Sequence, residues 1–203
     1  MKKLLAYMLC GVAAASVSIS SFAQIGGLKN PFGGGSSGGV TSEQLVKKYV
    51  GGTQNVMSAD INMLRALGLK NQADKEALAA KNLTEGSTSS GLEDAAKVQT
   101  ESSKAMADKF KEKNVTMSAE SKKQFSLGLV DLAKGIRDYL GLAADAKGYK
   151  PGMSSLGSSA GAAVFIVKSL PDSTTNLKGT LQKAIDFAKE NKIEVPADAT
   201  SVL

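Results

Sequence analysis

From residue 41 onward, apolar side chains recur at the three- and four-residue spacings of helices that bury one face. Thr41-Ser42-Glu43-Gln44 has the order of a capping box, in which the first hydroxyl and the fourth side chain each bond the other's backbone N–H. Leu45, Val46, Tyr49, Val50, Val56, Met57, Ile61, Leu64 and Leu67 then follow on one stripe. Gly51-Gly52 interrupts that stripe and predicts a bend or a split, since a glycine costs about 1 kcal/mol against alanine in a helix interior. Gly68 stands where a C-terminal cap belongs. A shorter helix is predicted over 71–83, with Ala77, Leu78 and Leu83 inward. Residues 84–91, TEGSTSSG, read as a loop by composition.

The second half repeats the theme with longer elements. Residues 92–113 hold good helix formers but a thin stripe of Ala95, Ala96, Gln99, Ser103, Met106 and Phe110. That predicts an outer helix, ended by Asn114. Ser118 caps a long helix over 119–147, with Phe125, Leu129, Leu132, Ala133, Ile136, Tyr139, Leu140 and Ala143 inward and Gly148 closing it. A central helix is predicted over 153–170 and ends at Pro171, whose ring removes an N–H and crowds the preceding turn. The last helix starts at Asp172 or Ser173, turns Leu177, Leu181, Ala184, Ile185 and Ala188 inward, and stops at Asn191. Residues 193–196 read as an extended tail. No segment alternates at the strand period over a useful length. The fold class is therefore all-α, a single-domain bundle of about six helices over 41–203.

Ahead of the bundle the pattern changes twice. Lys2 and Lys3 precede an apolar run from Leu4 to about Val17, and Ser21-Phe22-Ala23 supplies the small-x-small order of a signal-peptidase site. Residues 1–23 are expected to be a secretory signal cut after Ala23. Cys10 has Leu9 before it, where a lipidated cysteine requires a small residue. Residues 24–40, QIGGLKNPFGGGSSGGV, form a Gly/Ser-rich flexible linker, with Leu28 and Phe32 as isolated apolar hooks within it. Removal of the signal would leave no membrane span and no cysteine. An exported chain without disulfides suits a bacterial periplasmic or secreted location.

Charge narrows the partners. The formal +6 falls to +4 without Lys2 and Lys3, and Arg65 and Arg137 are the two arginines. The lysines are interleaved with acids, as in Lys109, Lys111, Glu112, Lys113, and the chain has no tryptophan. Nucleic-acid binders gather basic charge on one face and add arginine forks and stacking aromatics, so nucleic acid is not expected as a partner.

The missing residue types narrow the chemistry. The chain has no histidine and a single cysteine within the signal, which removes the usual nucleophile–base pairs and most transition-metal ligand sets. No catalytic, cofactor-binding or metal residue stands out, and no cofactor is expected. A hydrolase using carboxylate or lysine groups is the remaining enzymatic alternative. Asp131, Lys134 and Asp138 share a helix face but match ordinary solvated ion pairing. The positive signal is small residues at helical spacing. Gly157 and Gly161, backed by Phe165, and Gly128 with Gly135 on the long helix, form two thin faces. Such faces let helix backbones approach closely, or leave a groove for an apolar guest. The expectation is an exported, non-enzymatic helical protein of the bacterial envelope with a protein partner. The alternative is a periplasmic carrier of a lipid or other apolar small molecule.

Overall fold

A computed structural model describes residues 40–112, 115–149 and 158–203. The signal at 1–23 with its cut after Ala23, the linker hooks Leu28 and Phe32, and Gly157 lie outside the described residues. Those described form six helices and no strand, α1 (Ser42–Ala66), α2 (Lys70–Asn82), α3 (Ser89–Lys109), α4 (Ala119–Lys147), α5 (Ser158–Glu190) and α6 (Ala197–Thr200). The all-α class read from the sequence holds, and residues 38–203 make one compact unit.

Local signals place most helix starts. Thr41 Oγ1 accepts from Gln44 N at 3.2 Å and Gln44 Oε1 accepts from Thr41 N at 3.1 Å, so the capping box is complete. Ser118 caps α4 by accepting from Ser121 N at 3.1 Å. Gly68 takes the left-handed φ of +78° that stops α1.

The core is built on α1 and α4, which run antiparallel. Gly128 lies against Met63, Gly135 against Val56 and Gly52 against Tyr139, and Ser42 Oγ meets Tyr149 Oη at 2.9 Å. A Cβ at Gly128 would stand 2.6 Å from Met63 Cγ, and one at Gly135 would overlap Val56 Cγ2 and lie 3.2 Å from Val56 N. Helix α5 packs on both, α2 and α3 flank α1, and α6 rests on α4. Rings fill the two ends of α4. Phe110, Phe125 and Phe187 cluster with centroids 4.9–6.1 Å apart, and Tyr49 meets Tyr139 at 5.5 Å and Phe165 at 6.3 Å.

Several expectations need correction. Helix α1 runs unbroken through Gly51-Gly52, because Gly52 faces the Tyr139 ring, where a Cβ would come within 3.2 Å of Cδ2. The glycine serves close approach there rather than a break. Residues 84–91 are only partly loop: Thr88 accepts from Gly91 N and α3 begins at Ser89. Helix α3 closes at Phe110, which serves as its C-cap. Leu140 is 42% exposed, and Leu142 is buried in its place. Pro171 lies inside α5, which is 33 residues long and runs on to Glu190. Hydroxyls ease the disruption, since Thr174 Oγ1 donates to Leu170 O at 2.8 Å and Thr175 Oγ1 to Pro171 O at 3.0 Å. The expected extended tail ends in α6, one turn that buries Ala199.

Helix α2 is rotated from its expected phase. Leu78 is 60% exposed, and the side chains it buries are Ala73 and Glu76. Leu67 before the turn and Leu83 after the helix are both buried, and these anchors set the phase. Leu69, Ala73, Glu76, Ala80 and Leu83 then share one face at three- and four-residue steps.

Candidate functional site

The stripe that buries α1 contains one acid. Asp60 stands four residues after Val56 and four before Leu64, so helical geometry turns it inward with them. Glu76 comes inward from α2. Both residues have no exposed surface, and none of their four carboxyl oxygens receives a well-formed hydrogen bond from a donor. The two carboxyls lie within range of one another. Ser102 of α3 stands beside Glu76, and its Oγ accepts from Gln72 Nε2 at 3.1 Å, which leaves the hydroxyl proton to face the carboxyl.

Burial decides the charge of this pair. Loss of water raises Asp60 well above the ordinary aspartate value, and the neighbouring Glu76 adds to the rise. Burial also lifts Glu76 to about 7, against small downward pulls from Ser102 and Asp60. Two ionised carboxylates here would each bear a desolvation cost of several kcal/mol with no cation to offset it. Protonation removes that cost, and it equips a carboxyl of the pair with an O–H that can be offered to its neighbour.

A second polar pair continues along the α1–α4 seam. Thr53 Oγ1 and Tyr139 Oη are hydrogen-bonded at 2.8 Å and buried. Burial pushes the Tyr139 phenol well above its usual range and raises Tyr49 too, so both stay neutral. Nearer the surface, Lys48 Nζ meets Asp145 Oδ2 at 2.6 Å and ties α1 to α4.

Gln99 of α3 is 8% exposed, and its Nε2 is buried without an acceptor. It also borders a cleft of about 450 Å3 between α3 and α5. Ser103, Lys104, Asn176, Thr180 and Lys183 contribute to the walls, and no acid does. The Thr100 and Thr180 hydroxyls donate to Ala96 O and Asn176 O at 2.8 and 3.0 Å, leaving their oxygens as acceptors. The cleft thus sets amide, hydroxyl and lysine groups among apolar walls from Ala96, Ala107, Phe110 and Leu177.

The structure separates the thin faces singled out in the sequence. Gly128 and Gly135 are closed against α1. Gly161 and Phe165 come together in an open hollow of about 410 Å3, bordered also by Ser89, Glu93 and Lys168. A Cβ at Gly161 would meet only Ser89 Oγ, at 3.9 Å. An apolar groove of about 380 Å3 lies between α4 and α5, lined by Ala143, Ala146, Val167, Leu170 and Pro171.

Comparison with family models, curated proteins and solved structures gives no match. The site therefore rests on its own chemistry. Among the described residues no three His, Cys, Asp or Glu side chains gather as a metal cluster. No helix of the described residues is long and apolar enough to cross a membrane. Sequence reading did not single out Asp60 or Glu76. The signal was present as an acid at an i, i+4 step on an apolar stripe, but a stripe counted only by its apolar members passes over it.

Proposed function

We propose that this chain is an exported, non-enzymatic helical protein of the bacterial envelope that binds another envelope component through its outer surface. What supports the reading is that the body's interior is filled by its own side chains. The α1–α4 seam is closed at Gly128 and Gly135, and the two converging carboxyls are sealed from solvent. The hollows between α3 and α5 are open at the surface, and one of them carries amide, hydroxyl and lysine groups suited to binding. The order of residues 1–23 suits an export signal, and the glycine- and serine-rich composition of 24–40 suits a tether to the helical body. The partner is a protein of the envelope; bound nucleic acid is not part of the reading.

A tagged chain expressed in a bacterial host tests both halves. The expected outcome is recovery from the periplasm or medium with Gln24 as the new N-terminus, and crosslinking in the envelope to a defined partner. Retention in the cytoplasm at full length, or specific turnover by the purified protein, would overturn it. Loss of crosslinking on deleting 24–40 makes the arm a docking segment, and survival makes it a spacer.

The apolar groove beside Pro171 favours one second reading, a carrier of a lipid or other apolar small molecule. Native mass spectrometry of protein purified from its own envelope separates the two, since a carrier retains its guest.

A further inference from the structure

We propose that Asp60 and Glu76 form a proton-held lock that fixes α2 to the body in acid and loosens it toward neutral pH. The argument starts from what docks α2. Within that helix the buried side chains are Ala73 and Glu76, and Ala73 is a single methyl group. Glu76 is thus the one large side chain that α2 inserts into the body. A glutamate can serve as an apolar anchor only while it is neutral or shares its charge, because an ionised carboxylate in a dry site draws several kcal/mol of desolvation. The exposed Leu78 adds no anchor.

The surroundings offer no alternative counter-charge. Asp60 comes from α1 and Glu76 from α2; from α3 comes Ser102, which does not titrate; from α4 comes Tyr139, a neutral phenol raised further by the field of Asp60. No lysine or arginine acts on either carboxyl. Arg65 engages Asp74 at 3.6 Å at the surface, with both side chains well exposed. Only protonation satisfies the two acids. In acid both carboxyls are protonated and the pair is neutral; loss of the first proton leaves one buried charge shared between them, and loss of the second leaves two anions facing each other across the α1–α2 contact.

The direction follows from the raised affinities. The unfolded chain releases these protons near 4, whereas the folded chain holds that of Glu76 to about 7 and keeps that of Asp60 well above the ordinary aspartate range. Stability from the pair is therefore full in acid and falls as pH rises through that window, by up to about tenfold in the unfolding constant per pH unit for each proton released. This behaviour is opposite to that of an ion-paired carboxylate such as Asp108, which Lys111 holds below its usual value. It is independent of the partner proposed above.

The test uses the mature protein and its Glu76→Gln and Asp60→Asn variants. Denaturant midpoints are followed from about pH 5 to about pH 8, together with hydrogen exchange of α2 amides corrected for intrinsic rates. In the wild type, α2 protection should fall at least tenfold relative to α4 over that range. Glu76→Gln should match the wild type in acid, exceed it near neutrality and flatten the pH slope. An equal slope in both proteins overturns the lock, as does a wild type whose α2 protection does not change. If Glu76→Gln does not fold, Asp60→Asn carries the same comparison. The wild type alone also decides the matter by infrared spectroscopy. A protonated-carboxyl band that persists near pH 6 supports the lock, and its absence overturns it. A third readout adds calcium or manganese near neutral pH: stabilisation abolished by either substitution would mean the pair holds a cation, and that result also overturns the proton assignment.

Discussion

At Gly135 a single hydrogen decides how close two helices come. Replacing it with alanine would push a methyl into Val56 Cγ2 and toward the Val56 backbone nitrogen at 3.2 Å, which cannot swing aside. Gly135→Ala should destabilise by about 1–3 kcal/mol in a urea titration, and Gly128→Ala by a similar amount, because its methyl would meet Met63 Cγ at 2.6 Å and the Ala59 backbone oxygen at 3.1 Å. Gly161→Ala is the contrast. It meets open space, so it should be neutral or stabilise by about 0.5–1 kcal/mol through helix propensity. Tyr139→Phe leaves the Thr53 hydroxyl buried without its partner and should cost about 1–3 kcal/mol by the same measurement. Residue-scale features set by neighbours in sequence were legible, as the Thr41 and Ser118 caps demonstrate. The pairing of Asp60 with Glu76 was not, because it joins two helices whose relative phase is fixed only after packing.

At the scale of elements, the sequence rules failed where tertiary contact outweighed propensity. Gly51-Gly52 is a breaker in an isolated helix, but the Tyr139 ring occupies the space that glycine leaves. Pro171 is a stop in an isolated helix, yet α5 is buried on both sides of it, by Ala163, Ile166 and Leu170 before and Leu177 and Leu181 after. Packing of those side chains outweighs one lost hydrogen bond. Pro171 is itself exposed, so Pro171→Ala should restore the bond to Val167 O without a clash. The expected result is a gain of about 1–3 kcal/mol by thermal or urea unfolding. A loss of stability would mean that the proline ring itself is needed to seat the second half of α5. Helix α2 was legible in existence and length but not in phase, since its anchors at Leu67 and Leu83 lie outside it.

For the whole molecule, the balance of forces is apolar packing rather than surface charge. The ion pairs among the described residues sit at the surface, with partners 25–76% exposed. Raising NaCl to about 0.5 M should therefore change the unfolding free energy by less than about 1 kcal/mol, measured well below neutral pH where Asp60 and Glu76 stay protonated. The class of fold was plain from periodicity, because helical stripes report on local geometry. The clefts were not, because each is walled by two helices whose relative placement is set only by packing.

The antiparallel α1–α4 seam also bears on the order of folding. Its two helices are separated by the whole of α2 and α3, so the central pairing closes a long loop before it is rewarded by contact. Residues 67–118 are then an excursion that docks onto a seam able to exist beneath it. In kinetic terms, substitutions in the seam such as Gly135→Ala should slow folding, while substitutions in α2 should mainly speed unfolding. The body would thus assemble from the inside out and open from the excursion inward, with the α1–α4 pair the last to separate.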